Sequence, residues 1–199
     1  MKMRTAAAGL LTLTGLAATT PAWAGTVRTV ALNTPFTVAW TDDSSKEQHS
    51  ITATVTSFRC GKDTAGDVEL GRKAAAERYG QFADPQPAVE PGHQLCTAQL
   101  TIVNSGRKKA QHNPAVTALD ATGVEFSEDD AFTRWVGTGV THYQNRDSSG
   151  GDTVDFNPRQ TARSAVAFLI PLDTRVTTLR YAGEAYPMVD TAQVNVTVV

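Results

Sequence analysis

Leu95 to Gly106 reads LCTAQLTIVNSG, in which Cys96, Ala98, Leu100 and Ile102 alternate with Thr97, Gln99, Thr101 and Val103 before Asn104-Ser105-Gly106 stops the run. A period of two over this length describes a half-buried strand that ends in a turn. Upstream, ITATVTSFRC (Ile51 to Cys60) has five β-branched residues in its first six positions, which favours extended backbone. Its inward set begins as Ile51, Ala53 and Val55 and shifts to Phe58 and Cys60. A phase slip of one residue is the signature of a β-bulge.

Outward from this pair, the same pattern recurs. Short strands are expected at Val27 to Ala31, Phe36 to Trp40, Ala115 to Leu119, Thr153 to Phe156, Thr161 to Ile170, Val176 to Ala182 and Gln193 to Val198. Turn chemistry separates them: Asn33-Thr34-Pro35, Asp120-Ala121-Thr122-Gly123, Asn157-Pro158 and Pro171-Leu172-Asp173. Many short strands and little helix imply an all-β, immunoglobulin-like antiparallel sandwich, with a small closed barrel as the alternative. Two stretches break the pattern. Gly61 to Gly92 is rich in Ala, Gly, Pro and charge, with one short helix expected at Glu69 to Tyr79; having only Tyr79 and Phe82 as aromatics, it reads as a mobile surface excursion. Ser127 to Asp152 reads as a second long loop, so the sandwich is expected to carry two long surface loops and at most one short helix.

The chain opens with Lys2 and Arg4, a small-residue apolar run from Ala6 to Ala18, and Ala22-Trp23-Ala24 before Gly25. This is the form of a secretory leader cleaved after Ala24. The run is too short to span a bilayer, which takes about 20 apolar residues. Residues 1–24 are therefore expected to be a leader and residues 25–199 one exported sandwich domain. Loss of Lys2 and Arg4 takes the formal net charge from −2 to −4. A mildly acidic chain without a basic stripe argues against nucleic acid or an anionic membrane surface as partner. Both cysteines, Cys60 and Cys96, lie beyond the leader, and in an exported chain two thiols predict one disulfide. Cys60 closes one strand and Cys96 opens the next, so the bridge would tie two strand ends across the intervening excursion.

Chemistry-bearing patterns are sparse. No Gly-x-Ser-x-Gly elbow and no Gly-x-Gly-x-x-Gly loop occur, and His49, His93, His112 and His142 fall in expected loops or turns without metal-ligand spacing. No catalytic residue, cofactor or metal ligand is assigned. Glu128, Asp129 and Asp130 form an acidic run that, with Asp147 or Asp152, offers oxygen ligands for calcium, but without the spacing of a known loop. Phe132, Trp135 and Tyr143 either fold inward to cap one end of the sandwich or present an aromatic patch to a protein or sugar.

The ordered set Pro91-Gly92, LTIVNSGRKK, TALDATGVEF and NPRQTARSAVAFLIP resembles the bacterial secreted immunoglobulin-like domain related to the mycobacterial immunoprotective extracellular antigen, a family sometimes indexed under a telomeric repeat-binding factor name. The family pattern falls on Asn104, Gly106 and Arg107, on Leu119, Asp120 and Gly123, and on Pro158, Phe168 and Pro171. Arg159 stands where the family usually has Gly. The resemblance implies a sandwich and export, with no activity attached. The expected protein is thus a secreted, non-enzymatic interaction module with a protein or cell-surface partner met by the loops Gly61 to Gly92 and Ser127 to Asp152. The alternatives are a small hydrolase joining His142 or His112 to an acid in a loop-built pocket, and a structural component of an envelope assembly with an exposed sheet edge or apolar patch.

Overall fold

The computed structural model describes residues 27–42, 45–144, 154–185, 189–190 and 193–199. The leader, Asp147 and Asp152 lie outside them. In chain order the elements are β1 (Arg28–Ala31), β2 (Phe36–Thr41), β3 (Gln48–Cys60), α1 (Ala65–Tyr79), β4 (His93–Asn104), β5 (Ala110–Asp120), β6 (Glu125–Phe126), α2 (Asp130–Gln144), β7 (Val154–Phe156), β8 (Thr161–Pro171), β9 (Val176–Ala185), β10 (Val189–Asp190) and β11 (Val194–Thr197).

One sheet runs β2-β3-β4-β8. The other runs β1-β11-β9-β5-β6, with β7 also on β5 and β10 also on β9. The chain crosses between the sheets from β4 to β5 and again from β8 to β9. Those four strands therefore pair as β4 with β8 and β5 with β9, the interlocked arrangement of an immunoglobulin-like sandwich. Pairing is antiparallel except for β1 with β11, which is parallel. Between the sheets lies one apolar core in which Ile51, Ala53, Val55, Ala98, Leu100, Ile102, Phe168, Leu179 and Tyr181 are buried. The expected bulge is present: register on β4 shifts between Val55 and Ser57, and Thr56 at the slip donates its hydroxyl to the Gln99 carbonyl at 3.1 Å.

Two expectations are corrected. The Gly61 to Gly92 excursion is not a mobile loop over its first half: α1 is a helix that buries Asp67, Gly71, Ala74 and Ala75, with Asp67 bonded to Thr97 and Gln99 of β4 and Gly71 lying against Trp135 of α2. That stripe has helical spacing but consists of small residues and a carboxylate, so it carries no apolar signal. The Ser127 to Asp152 region is not a loop throughout either, since α2 occupies fifteen residues of it. Its buried face is Phe132, Trp135, Val136 and Val140, an i, i+3, i+4, i+8 stripe obscured in sequence by Gly137 and Gly139. The molecule thus has two 15-residue helices where one short helix and a loop were expected, and its two β-layers carry a helical third layer on one outer face.

The residues that carried the family resemblance do folding work. Asn104, fully buried, donates from Nδ2 to the Lys108 carbonyl at 2.8 Å and accepts from the Gly106 amide at 2.9 Å, which closes the turn after β4. Asp120 Oδ1 accepts from the Thr122 hydroxyl, the Thr122 amide and the Val124 amide. These bonds, the Thr122 hydroxyl first, hold its carboxyl below the usual range. Gly123 has φ +88° and Arg159 φ +67°, both in the left-handed region where glycine is at ease. Arg159 therefore holds a left-handed position at which Gly would be the better conformer.

Cys60 and Cys96 are directly opposed across β3 and β4, bonded to each other with Cα atoms 4.0 Å apart. The bridge closes a sequence separation of 36 that contains all of α1. Constraining that loop in the unfolded chain stabilises the fold by about 4 kcal/mol on the chain-entropy model. Equilibrium urea unfolding of Cys60→Ala/Cys96→Ala is expected to show a loss near that size, and an unchanged midpoint would refute it. Arg159→Gly is expected to raise stability by about 1 kcal/mol through release of left-handed strain, read from the same unfolding curves.

Candidate functional site

The outer face of the β3-β4-β8 sheet presents Leu95, Ala165 and Ala167, apolar and mostly small side chains on which a helix can lie closely. Thr97 and Gln99 share that face. Asp67 of α1, 6 % exposed, accepts from the Thr97 hydroxyl at 2.6 Å and from Gln99 Nε2 at 2.7 Å, with Arg59 at 3.5 Å. A carboxylate out of water is tolerated only with such partners, so the three groups fix where α1 lies. The second helix crosses the first where both lack side chains. A Cβ on Gly139 would stand 2.7 Å from the Gly71 amide nitrogen, and one on Gly71 would stand 2.6 Å from the Trp135 carbonyl oxygen. Trp135 Nε1 donates to the Val68 carbonyl at 3.2 Å, and the Thr133 hydroxyl and Ala167 amide meet at 2.9 Å.

The helical layer leaves a cleft of about 720 Å³ on the open flank of the sandwich. One wall is β5 from Pro114 to Thr117, the other is β8 from Ser164 to Val166, and the roof is α2 with the end of α1. The β5 wall is a stretch of sheet edge: β7 pairs with Ala110 to His112 and β6 with Ala118 and Leu119, leaving the residues between without a strand on that side. Pro114 has no N–H to offer there, and the Val116 N–H donates to Glu128 Oε1 at 2.7 Å. Into the same cleft come Arg78, whose guanidinium sits 5.4 Å from the centroid of the Tyr79 ring, and Arg134 of α2. Among the described residues neither guanidinium lies within ion-pair distance of a carboxylate.

The expected site residues separate into clear cases. Phe132 is 2 % exposed and Trp135 9 %, so these two do not form a surface patch; they fold inward against the sheet and α1 rather than over the sandwich end. The side chain of Tyr143, like that of His142, lies outside the described residues. The acidic run has structural duties: Glu128 holds the β5 edge, and Asp129 Oδ1 caps α2 by accepting from the Phe132 amide at 2.8 Å. Among the described residues no group of three His, Cys, Asp or Glu side chains could hold a metal ion. His112 is fully buried between the sheets, its Nε2 hydrogen-bonded to the Tyr181 hydroxyl and its ring stacked on Trp40 at 5.8 Å. It has no access to a substrate in a loop-built pocket. Gly183 leaves room for it, since any Cβ there would overlap the imidazole. Arg78, Tyr79 and Arg134 were not anticipated. Arg78 and Tyr79 end α1 and Arg134 lies in α2, two segments with no shared spacing that a sequence reading could detect.

No protein-family model matches the chain, and no curated protein is significantly similar to it. Among solved structures it is similar to an uncharacterized β-sandwich protein from Clostridium difficile 630, at 12% identity over 87% of this chain and 95% of that one, with a TM-score of 0.41. It is similar also to a conserved hypothetical protein from Bacillus anthracis, at 13% identity over 80% and 96%, with a TM-score of 0.39.

Burial pushes the His112 imidazole down to about 4 from its ordinary 6.5, because the charged form would lose its water. Between those two pH values the unfolded chain binds a proton that the folded chain declines. Stability is therefore expected to fall as pH drops from 6.5 to about 4, by about 3 kcal/mol in all, and to lose no more from this residue below that. Urea midpoints measured across this window in the protein and in His112→Phe test it, and equal slopes in the two would refute the assignment.

Proposed function

We propose that the protein is an exported, non-enzymatic binding module, and that the cleft between the β5 and β8 edges is its binding face. The carrying observation is the pair of guanidiniums, Arg78 and Arg134, that have no carboxylate partner among the described residues and are brought from two helices to one concave surface whose β5 backbone edge is already met by Pro114 and Glu128. Charged groups left without partners beside a cavity of this size are available to a ligand, and small-ligand sites run from about 300 to 1,000 Å³.

Export is supported by the disulfide, which persists in oxidising compartments, and by the leader-like start. No helix among the described residues is long and apolar enough to cross a membrane. The ordered motifs shared with the secreted immunoglobulin-like domain point the same way, and a relation to that family is part of the proposal. The absence of activity rests on the histidines and acids whose places are known: His112 is sealed in the core, and Glu128 and Asp129 are engaged with backbone amides. The chain's loops and helices would then act as a rigid platform, with recognition at the cleft.

Expressed with its leader in a bacterial host, the protein is expected in the medium, starting at Gly25 and two hydrogens lighter than the reduced chain by intact mass. It is expected to be retained on isolated cell-wall material without releasing soluble fragments. Recovery from the cytosol with Met1 in place would sink the export reading, and fragment release would sink the non-enzymatic one.

A further inference from the structure

We propose, on the basis of the cleft being the binding face, that its ligand is an oxyanion carried on a polyhydroxylated chain: a carboxylated or phosphorylated sugar or polyol. Three features of the cleft lead there. First, Arg78 and Arg134 supply two planar forks of N–H donors, which match carboxylate and phosphate oxygens and are satisfied by little else. Arg78 is held over the Tyr79 ring, so part of the entropy cost of ordering its long side chain is met before a ligand arrives.

Second, the hydroxyls of Thr117, Ser127 and Ser164 line the cleft and have no hydrogen-bond partner among the described residues. Each is both donor and acceptor, the pairing that a ligand rich in hydroxyls requires. Tyr79, 46 % exposed, adds an aromatic edge beside them.

Third, Asp130 lines the same cleft and stays beyond ion-pair distance of both guanidiniums, while Glu128 is spent on the β5 edge. A densely charged polyphosphate backbone laid along the cleft would meet Asp130 as well as the arginines. A chain whose anions are spaced by neutral, hydroxylated units can place one anion on the arginines and hydroxyls elsewhere. The same spacing argument sets nucleic acid aside, in keeping with the acidic net charge.

Isothermal titration and amide-shift mapping on the disulfide-intact exported protein test this with four probes: a galacturonate oligomer, a glycerol-phosphate oligomer, a neutral malto-oligosaccharide and an oligo-glutamate, all matched in length. At least one of the first two is expected to bind saturably and to weaken with added salt. Arg78→Gln and Arg134→Gln are each expected to weaken that binding by about tenfold or more. Arg72→Gln, which removes a guanidinium already paired with Glu69 outside the cleft, is expected to leave it unchanged. All three sites are exposed, and a retained urea midpoint shows that each variant folds.

Equal binding of the oligo-glutamate would overturn the sugar or polyol part of the inference, and binding indifferent to both cleft variants would overturn the oxyanion part. Charge-independent binding of the neutral oligosaccharide, with shifts at Thr117 and Ser164, would overturn the inference while leaving the cleft as binding face. If no probe moves a cleft amide while cell-wall fragments bind elsewhere on the molecule, the inference and the reading beneath it both fall.

Discussion

Asp67 is a carboxylate held out of water by Thr97, Gln99 and Arg59, and the third layer of the molecule depends on that arrangement. An unsatisfied buried charge costs several kcal/mol, so α1 cannot slide along the sheet without breaking its own solvation substitute. With α1 fixed, Gly71 fixes the crossing point of α2, because only there can the second helix come within backbone contact of the first. With α2 fixed, Phe132 and Val136 cover Ala165, Ala167 and Leu95, and Arg134 is delivered to the flank of the sandwich beside Arg78. Cys60–Cys96 ties the two ends of the excursion that carries α1, and the Asp67 carboxylate, in the first turn of α1, holds that helix to Thr97 and Gln99 just past the bridge.

The flank on which the cleft opens is where this sandwich manages an unpaired edge. A row of free N–H groups invites another strand, and proteins blunt such rows with Pro or charge. Here Pro114 removes one donor and Glu128 occupies the next. On the facing strand, the Ala167 carbonyl accepts from the Asp129 amide at 2.8 Å, and its amide is met by Thr133. The acidic run after β6 therefore seals sheet edges and caps a helix, which turns an aggregation-prone flank into a pocket wall. What is left free in that pocket is side-chain chemistry rather than backbone, so the edge no longer offers itself to an added strand.

The locally encoded features were legible. The phase slip in Ile51 to Cys60 read as a bulge is a bulge, because one extra residue changes which side chains alternate inward whatever lies around it. The turn at Asp120 to Gly123 follows from short-range geometry in the same way, whereas the left-handed backbone at Arg159 was not read from the sequence. The helices were harder. The buried stripe of α1 is Asp67, Gly71, Ala74 and Ala75, which looks polar or featureless until the sheet supplies Thr97 and Gln99. The stripe of α2 is visible in Phe132, Trp135, Val136 and Val140, but Gly137 and Gly139 in its midst argue for loop; Gly139 is there because α1 approaches too closely for a side chain, whereas a Cβ on Gly137 would meet the Ala165 carbonyl at an ordinary 3.5 Å.

The sequence by itself determined two pleated layers, the pairing of Cys60 with Cys96, and the turns, since alternation, cysteine count and turn chemistry act over a few residues or over a choice of one. Only the tertiary structure decided that the strand Leu95 to Asn104 is covered on its outer face over its first half, that Phe132 and Trp135 are core, and that Arg78 and Arg134 share a cleft. Those facts depend on which surfaces meet across 30 or more residues of chain, and a free guanidinium is defined by the carboxylates that fail to reach it.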